Sequence, residues 1–133
     1  MRSCKTLFSA GLIAAALFIG SAAALEKERF SMERFQELQA GGELVVVDIY
    51  ADWCGTCAKQ QEILADYREE HPDVDLHILE VDFDKDDEWV RHFRAPRQST
   101  ILVYAGEEQY SYTVAETDRD RLFAEINQAA EAL

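Results

Sequence analysis

From residue 31 onward, polar and apolar positions fall into a succession of short elements. Ser31 is placed to cap a helix running to about Ala40, with Phe35 and Leu38 on one side and Gly41-Gly42 to end it. Leu44-Val45-Val46-Val47-Asp48-Ile49-Tyr50 is a nearly unbroken apolar, β-branched run, the pattern of a strand covered on both faces. A more polar helix is expected from about Cys54 to Glu70, with Gln60, Ile63, Leu64 and Tyr67 recurring at helical spacing and His71-Pro72 as its stop. Val74 to Phe83 reads as a second strand and Lys85 to Phe93 as a short helix. Thr100 to Tyr104 and Gln109 to Val114 alternate as a hairpin turning at Gly106, and Asp118 caps a last helix carrying Leu122, Phe123, Ile126 and Ala130.

The predicted order is therefore α, β, α, β, α, β, β, α. A strand, helix, strand unit forces a parallel pair with a right-handed crossover, while the later hairpin is antiparallel. The fold class that follows is α/β, a mixed four-stranded sheet flanked by helices. In such a layout a functional site belongs where the first strand passes into its helix.

Residues 1–24 differ in kind from the rest. They contain no acidic residue; Arg2 and Lys5 precede an apolar stretch from Leu7 to Gly20, and Ala22-Ala23-Ala24 supplies an A-x-A site. This is the layout of a secretory signal, with an uncleaved N-terminal anchor as the alternative reading. Cleavage after Ala24 leaves a single domain over residues 25–133, bound for the periplasm or secretion and free of the membrane.

The chain of 133 residues holds 26 acidic and 13 basic side chains, a formal charge of −13. Loss of Arg2 and Lys5 with the signal leaves 11 basic residues and a charge of −15. An acid excess of this size argues against nucleic acid as a partner, because such binding draws on Lys and Arg at phosphates. Cys4 departs with the signal, leaving Cys54 and Cys57. A bridge across so short a loop removes little unfolded-state entropy and is a poor staple, so this pair calls for a chemical explanation.

Cys54-Gly55-Thr56-Cys57 stands at the start of the second predicted helix. Unpaired N–H groups and the positive end of the helix dipole favour a thiolate on Cys54 and make it the nucleophile. Cys57, one turn later, is within reach of the same sulfur and can resolve a mixed disulfide, leaving an internal Cys54–Cys57 disulfide. Asp48, in the middle of the apolar strand, is costly to bury unless it is used. Burial would raise its pKa toward neutrality and let it exchange a proton there.

The run Val45-Val46-Val47-Asp48-Ile49-Tyr50-Ala51-Asp52-Trp53-Cys54-Gly55-Thr56-Cys57 resembles the thioredoxin family. Its Asp48-to-Cys54 portion is similar to the C-terminal domain of bacterial thiol:disulfide interchange reductases. The resemblance implies a thioredoxin-like fold, Cys54 attacking, Cys57 resolving, Trp53 shielding the pair and Asp48 relaying the resolving thiol's proton. There are two departures. Gly55-Thr56 stands between the cysteines where a Gly-Pro is common, and Ser99 stands where the family places a cis proline facing the pair.

Because a cis bond before a non-proline residue costs about 2.5–4 kcal/mol, Gln98-Ser99 is expected to be trans. Ser99 would then border the site, with Gln98 offering backbone groups to an extended substrate segment. The competing register makes Pro96 the proline's counterpart.

His71, His77 and His92 lack the spacing of a metal site, so no metal is expected. The acidic run from Asp82 to Glu88 lacks an EF-hand's central glycine and reads as a solvated turn and helix start. Asp52, Glu80 and Asp82 are expected near the redox pair. Two functions of different class follow. One is an exported, monomeric thiol:disulfide oxidoreductase, without cofactor beyond its own disulfide, exchanging electrons between an upstream thiol donor and protein disulfides. The other is a non-enzymatic binding module, or a transient copper carrier holding the metal on its two thiolates.

Overall fold

Backbone pairing in the computed structural model, which describes residues 27–133, builds one sheet from five strands and sets four helices against it. In chain order these are β1 (Glu28–Arg29), α1 (Met32–Ala40), β2 (Leu44–Tyr50), α2 (Gly55–Glu70), β3 (Leu76–Asp82), α3 (Asp87–His92), β4 (Thr100–Ala105), β5 (Glu108–Val114) and α4 (Arg119–Ala130). The expected mixed sheet flanked by helices is present, with one short edge strand added to the four expected strands. Glu28 and Arg29 form a two-residue edge strand, parallel to β3 through Leu79 and Glu80. So short a polar segment carries no alternation that could announce it. The signal assigned to residues 1–24 lies outside the described residues.

The sheet runs β1-β3-β2-β4-β5, with β2 parallel to β3 and antiparallel to β4. Alternation along β2 decides what lies on each side. Val45, Val47 and Ile49 face an aromatic-rich layer with Phe35 and Leu38 of α1 and Phe30, Phe93 and Tyr104. Leu44 and Val46 face the other way, onto Ile63, Leu64 and Tyr67 of α2 and Leu122, Phe123 and Ile126 of α4. Asp48 takes the next position on this second face, under α2, and is fully buried.

Helix ends follow the local chemistry. Ser31 accepts from the N–H of Arg34 and Asp118 from that of Arg121, each as a side-chain cap. The hairpin turns at Gly106, whose φ of +56° is open to glycine at little cost. His71 is the C-cap of α2 and stacks on Tyr67 at 4.2 Å, a structural position. Around the acidic turn, Lys85 holds the Asp82 carboxyl below the usual carboxylate range by a 2.7 Å hydrogen bond, and Asp86 pairs with Arg29 at 2.6 Å.

Candidate active site

β2 ends at Tyr50 and α2 begins at Gly55, so Cys54 sits at the junction as the helix N-cap. The Cys57 N–H donates to Cys54 Sγ at 3.1 Å, so one of the helix's four unpaired N–H groups is spent on this sulfur. Cys54 and Cys57 form a disulfide with Cα atoms 5.2 Å apart. Gly55 opens the helix with no atom near the place a Cβ would occupy, and Thr56 is half-buried beside it.

The two sulfurs are unequally covered, Cys54 being 6% exposed and Cys57 1%. The ranking fits an outer and an inner thiol, both of them well covered. Ala51, Tyr50 and Phe83 pack against the pair, and Ser99 closes over Cys54 from the far side. Access comes through a cleft of about 250 Å³ between the two cysteines and Lys27, Asp52, Gln61 and Glu80. Trp53 projects from the surface, 66% exposed, and its indole N–H donates to Asp84 at 2.7 Å.

On β2, against α2, Asp48 Oδ2 accepts from Gln61 Nε2 at 3.2 Å, while Oδ1 is buried without a partner. Gln61 follows Cys57 by four residues, so both belong to the helix face turned toward Asp48. Burial, above all, pushes the Asp48 carboxyl up to about 7; the Gln61 bond pulls it down, Glu80 raises it and Lys27 lowers it. Lys27 and Glu80 form an ion pair at 3.0 Å, and Glu80 stands opposite Asp48 in the β2–β3 register. Of the acids expected nearby, Asp52 and Glu80 line the cleft, and Asp82 turns instead to Lys85.

On the other side, Ser99 lies 3.4 Å from Cys54 Sγ through its hydroxyl, whereas Pro96 is exposed three residues earlier. No cis peptide bond occurs among the described residues, so Gln98-Ser99 is trans. The Ser99 N–H donates to Ile49 O at 2.8 Å, a bond proline could not make, and its carbonyl accepts from Ala115 N–H at 2.8 Å and Gln60 Nε2 at 3.2 Å. With both its backbone groups engaged, Ser99 has none to offer a substrate. Gln98, half-buried and next to it, is the nearer backbone for strand addition.

Sequence reasoning missed Gln60, Gln61 and Lys27 as site residues. Gln60 carried a signal, being a polar residue at the helical spacing of Ile63, Leu64 and Tyr67, and it is fully buried. Lys27 carried none, since its place depends on the short edge strand. Among the described residues, three metal-capable side chains converge only at Glu43, Asp75 and His77. These lie by the starts of β2 and β3, at the other end of the sheet from the cysteines, and Asp75 is 84% exposed.

A disulfide capping a helix that follows a central strand, with a buried acid hydrogen-bonded to that helix, defines a class of protein that exchanges dithiols with disulfides. The family model described as Thioredoxin matches residues 23–128, and the chain belongs to the thioredoxin family. Thioredoxin from Chlamydia trachomatis is 29% identical over 97 residues, covering 73% of this chain and 92% of that one. Thioredoxin-1 from Saccharomyces cerevisiae is 40% identical over a shorter stretch of 48 residues, 36% of this chain and 47% of its own. Among solved structures, Trxlp from Edwardsiella tarda superposes with a TM-score of 0.69 at 31% identity, covering 74% of this chain and 96% of that one. The protein is a thioredoxin-like dithiol oxidoreductase whose redox group is the Cys54–Cys57 disulfide.

Proposed function

We propose that the protein works outside the cytoplasm, as a reductant or electron relay between an upstream thiol donor and protein disulfides. The observation that carries the exchange itself is the disulfide at the N-terminus of α2, with Asp48 sealed under it at a pKa of about 7. Export rests on the charge and hydropathy layout of residues 1–24.

In the reducing direction, Cys54 has given its proton to solvent and attacks a substrate disulfide as the thiolate. A Cys54–substrate disulfide forms and the first substrate sulfur leaves as a thiolate. Cys57 passes its proton to Asp48 and attacks Cys54 Sγ, which re-forms the internal disulfide and releases the second substrate thiolate. Two electrons have moved to the substrate, and its two thiolates take up two protons, one from Asp48 and one from water. Asp48 Oδ1, unpaired and buried, is the acceptor atom the geometry leaves free. The upstream donor then reverses these steps on Cys54–Cys57.

The test is reduction of insulin disulfides by wild type and by Cys57→Ser. Wild type turns over, while the variant stops at the mixed disulfide; sustained turnover without Cys57 would refute the two-thiol relay. A reduction potential measured against glutathione checks the direction. A value in the range of strong oxidants, near about −120 mV, would overturn the reductant reading.

A further inference from the structure

We infer that Ser99 is a catalytic residue of this chain, its hydroxyl serving as a hydrogen-bond donor to the Cys54 thiolate. The inference rests on the reading of Cys54 as the attacking sulfur. In the disulfide, Cys54 Sγ has no hydrogen to give, so the 3.4 Å contact with Ser99 Oγ has the hydroxyl as donor. Ser99 is fully buried, and the sulfur is the only partner of its hydroxyl among the described residues. On reduction that partner becomes an anion, and a hydrogen bond to an anion is roughly twice as strong as one to a neutral acceptor.

The backbone holds the hydroxyl in this place against its own preference. Ser99 has a φ of +64°, a left-handed conformation unfavourable for a residue with a Cβ. Three hydrogen bonds enforce it, from its N–H to Ile49 O and to its carbonyl from Ala115 N–H and Gln60 Nε2. Residues kept in sparsely populated backbone conformations by their surroundings cluster at active sites. The hydroxyl thus adds a second fixed donor to the Cys57 N–H, which reaches the sulfur at 3.1 Å.

These two donors act within an acidic setting. The titratable and charged groups on the cleft side are Lys27, Tyr50, Asp52 and Glu80, with Asp48 beneath, and Glu116 stands beyond Ser99 through their common partner Gln60. Carboxylates near a thiol disfavour its ionisation, so a chain this acidic gains from a donor placed on the sulfur itself. The consequence is a Cys54 that is ionised at lower pH, both as attacking group and as leaving group when the donor thiol displaces it from a mixed disulfide. Because the hydroxyl favours the reduced, anionic form, it makes the pair more oxidising than the same site without it.

The experiment compares reduced wild type with Ser99→Ala and Ser99→Gly. Ser99→Ala removes the hydroxyl and keeps the Cβ; Ser99→Gly also relieves the left-handed backbone and so folds without strain. Thiolate absorbance near 240 nm is followed against pH, with iodoacetamide alkylation and mass mapping to assign the titrating thiol. Both variants are expected to show an acid dissociation constant for Cys54 about tenfold smaller. Where Cys54 is fully ionised, their reduction potential is expected to be lower by about 30 mV, the same tenfold change for a two-electron couple. Titration of both variants as wild type would overturn the inference, as would a shift in Ser99→Ala that Ser99→Gly abolishes. Preferential alkylation of Cys57 would instead refute the assignment of Cys54 as the attacking sulfur, and the inference with it.

Discussion

Replacing Asp48 with asparagine removes a charge that folding buries and leaves the shape almost unchanged. The amide oxygen of the substitute can still accept from Gln61, which donates to Asp48 Oδ2 at 3.2 Å. In the wild type the Asp48 carboxyl titrates at about 7, against 3.8 in an exposed chain, chiefly because burial penalises the anion. The sign of the linkage is fixed by which state holds the proton. Between pH 3.8 and 7 the folded protein keeps a proton that the unfolded chain has lost, so stability falls as pH rises through that window. Each pKa unit is worth about 1.36 kcal/mol, so the loss approaches about 4 kcal/mol by neutral pH and levels off above it.

The neutral amide carries no such penalty. Urea denaturation of the oxidised proteins at a series of pH values should therefore give similar stabilities for wild type and Asp48→Asn near pH 4. At pH 8 the variant should be more stable by up to about 4 kcal/mol, a large share of a small domain's total. Disulfide exchange should move the other way, since the variant has no base beneath Cys57 and resolves mixed disulfides slowly at neutral pH. Parallel stability profiles from pH 4 to 8 would show that Asp48 does not titrate in that range. Its assignment as proton acceptor would then fail.

Two further outcomes follow from the site's edges. Asp52→Asn removes a carboxylate from the cleft and should lower the Cys54 pKa, read as a thiolate titration displaced to lower pH; an unchanged titration would refute an electrostatic role for Asp52. Gln60→Leu should cost about 1–2 kcal/mol by chemical denaturation, because it strips its buried donor from the Glu116 carbonyl, reached at 3.0 Å, while the Ser99 carbonyl keeps the Ala115 N–H. A stability change below about 0.5 kcal/mol would show that the Glu116 carbonyl finds another partner.

The parts of this architecture that announce themselves in the sequence are those with a strong period or an unavoidable cost. The β2 run, the hairpin at Gly106 and the caps at Ser31 and Asp118 were legible because burial on two faces, a turn and an unpaired helix end each demand particular residues. Asp48 was legible for the opposite reason, as a charge where the pattern allows none. The edge strand β1 was not, since two residues paired to Leu79 and Glu80 depend on a sheet edge that only the assembled fold provides. The limited exposure of Cys54 was also hidden, because it depends on Ser99, 45 residues away in sequence. The missing proline marked that position as unusual. The left-handed backbone and the hydroxyl contact became visible only with the three bonds that hold it.

Two side-chain hydrogen bonds from one helix join the two halves of the site. Cys54 caps α2, Cys57 sits in its first turn, and the adjacent Gln60 and Gln61 reach in different directions. Gln60 reaches the carbonyl of Ser99, on the outer side of the nucleophile, and Gln61 reaches Asp48, beneath the resolving thiol. The donor that stabilises one thiolate and the carboxylate that takes the other thiol's proton are therefore indexed to the same two turns of a rigid element. Gln60 spends no charge on this task, and Gln61 holds Asp48 by a neutral bond strong enough to orient it but too weak to offset its burial. A cation in the place of Gln61 would hold the carboxylate more firmly but drag its pKa down, away from the value that suits proton transfer at neutral pH. A neutral amide at that position fixes the acid's geometry and leaves burial in control of its pKa.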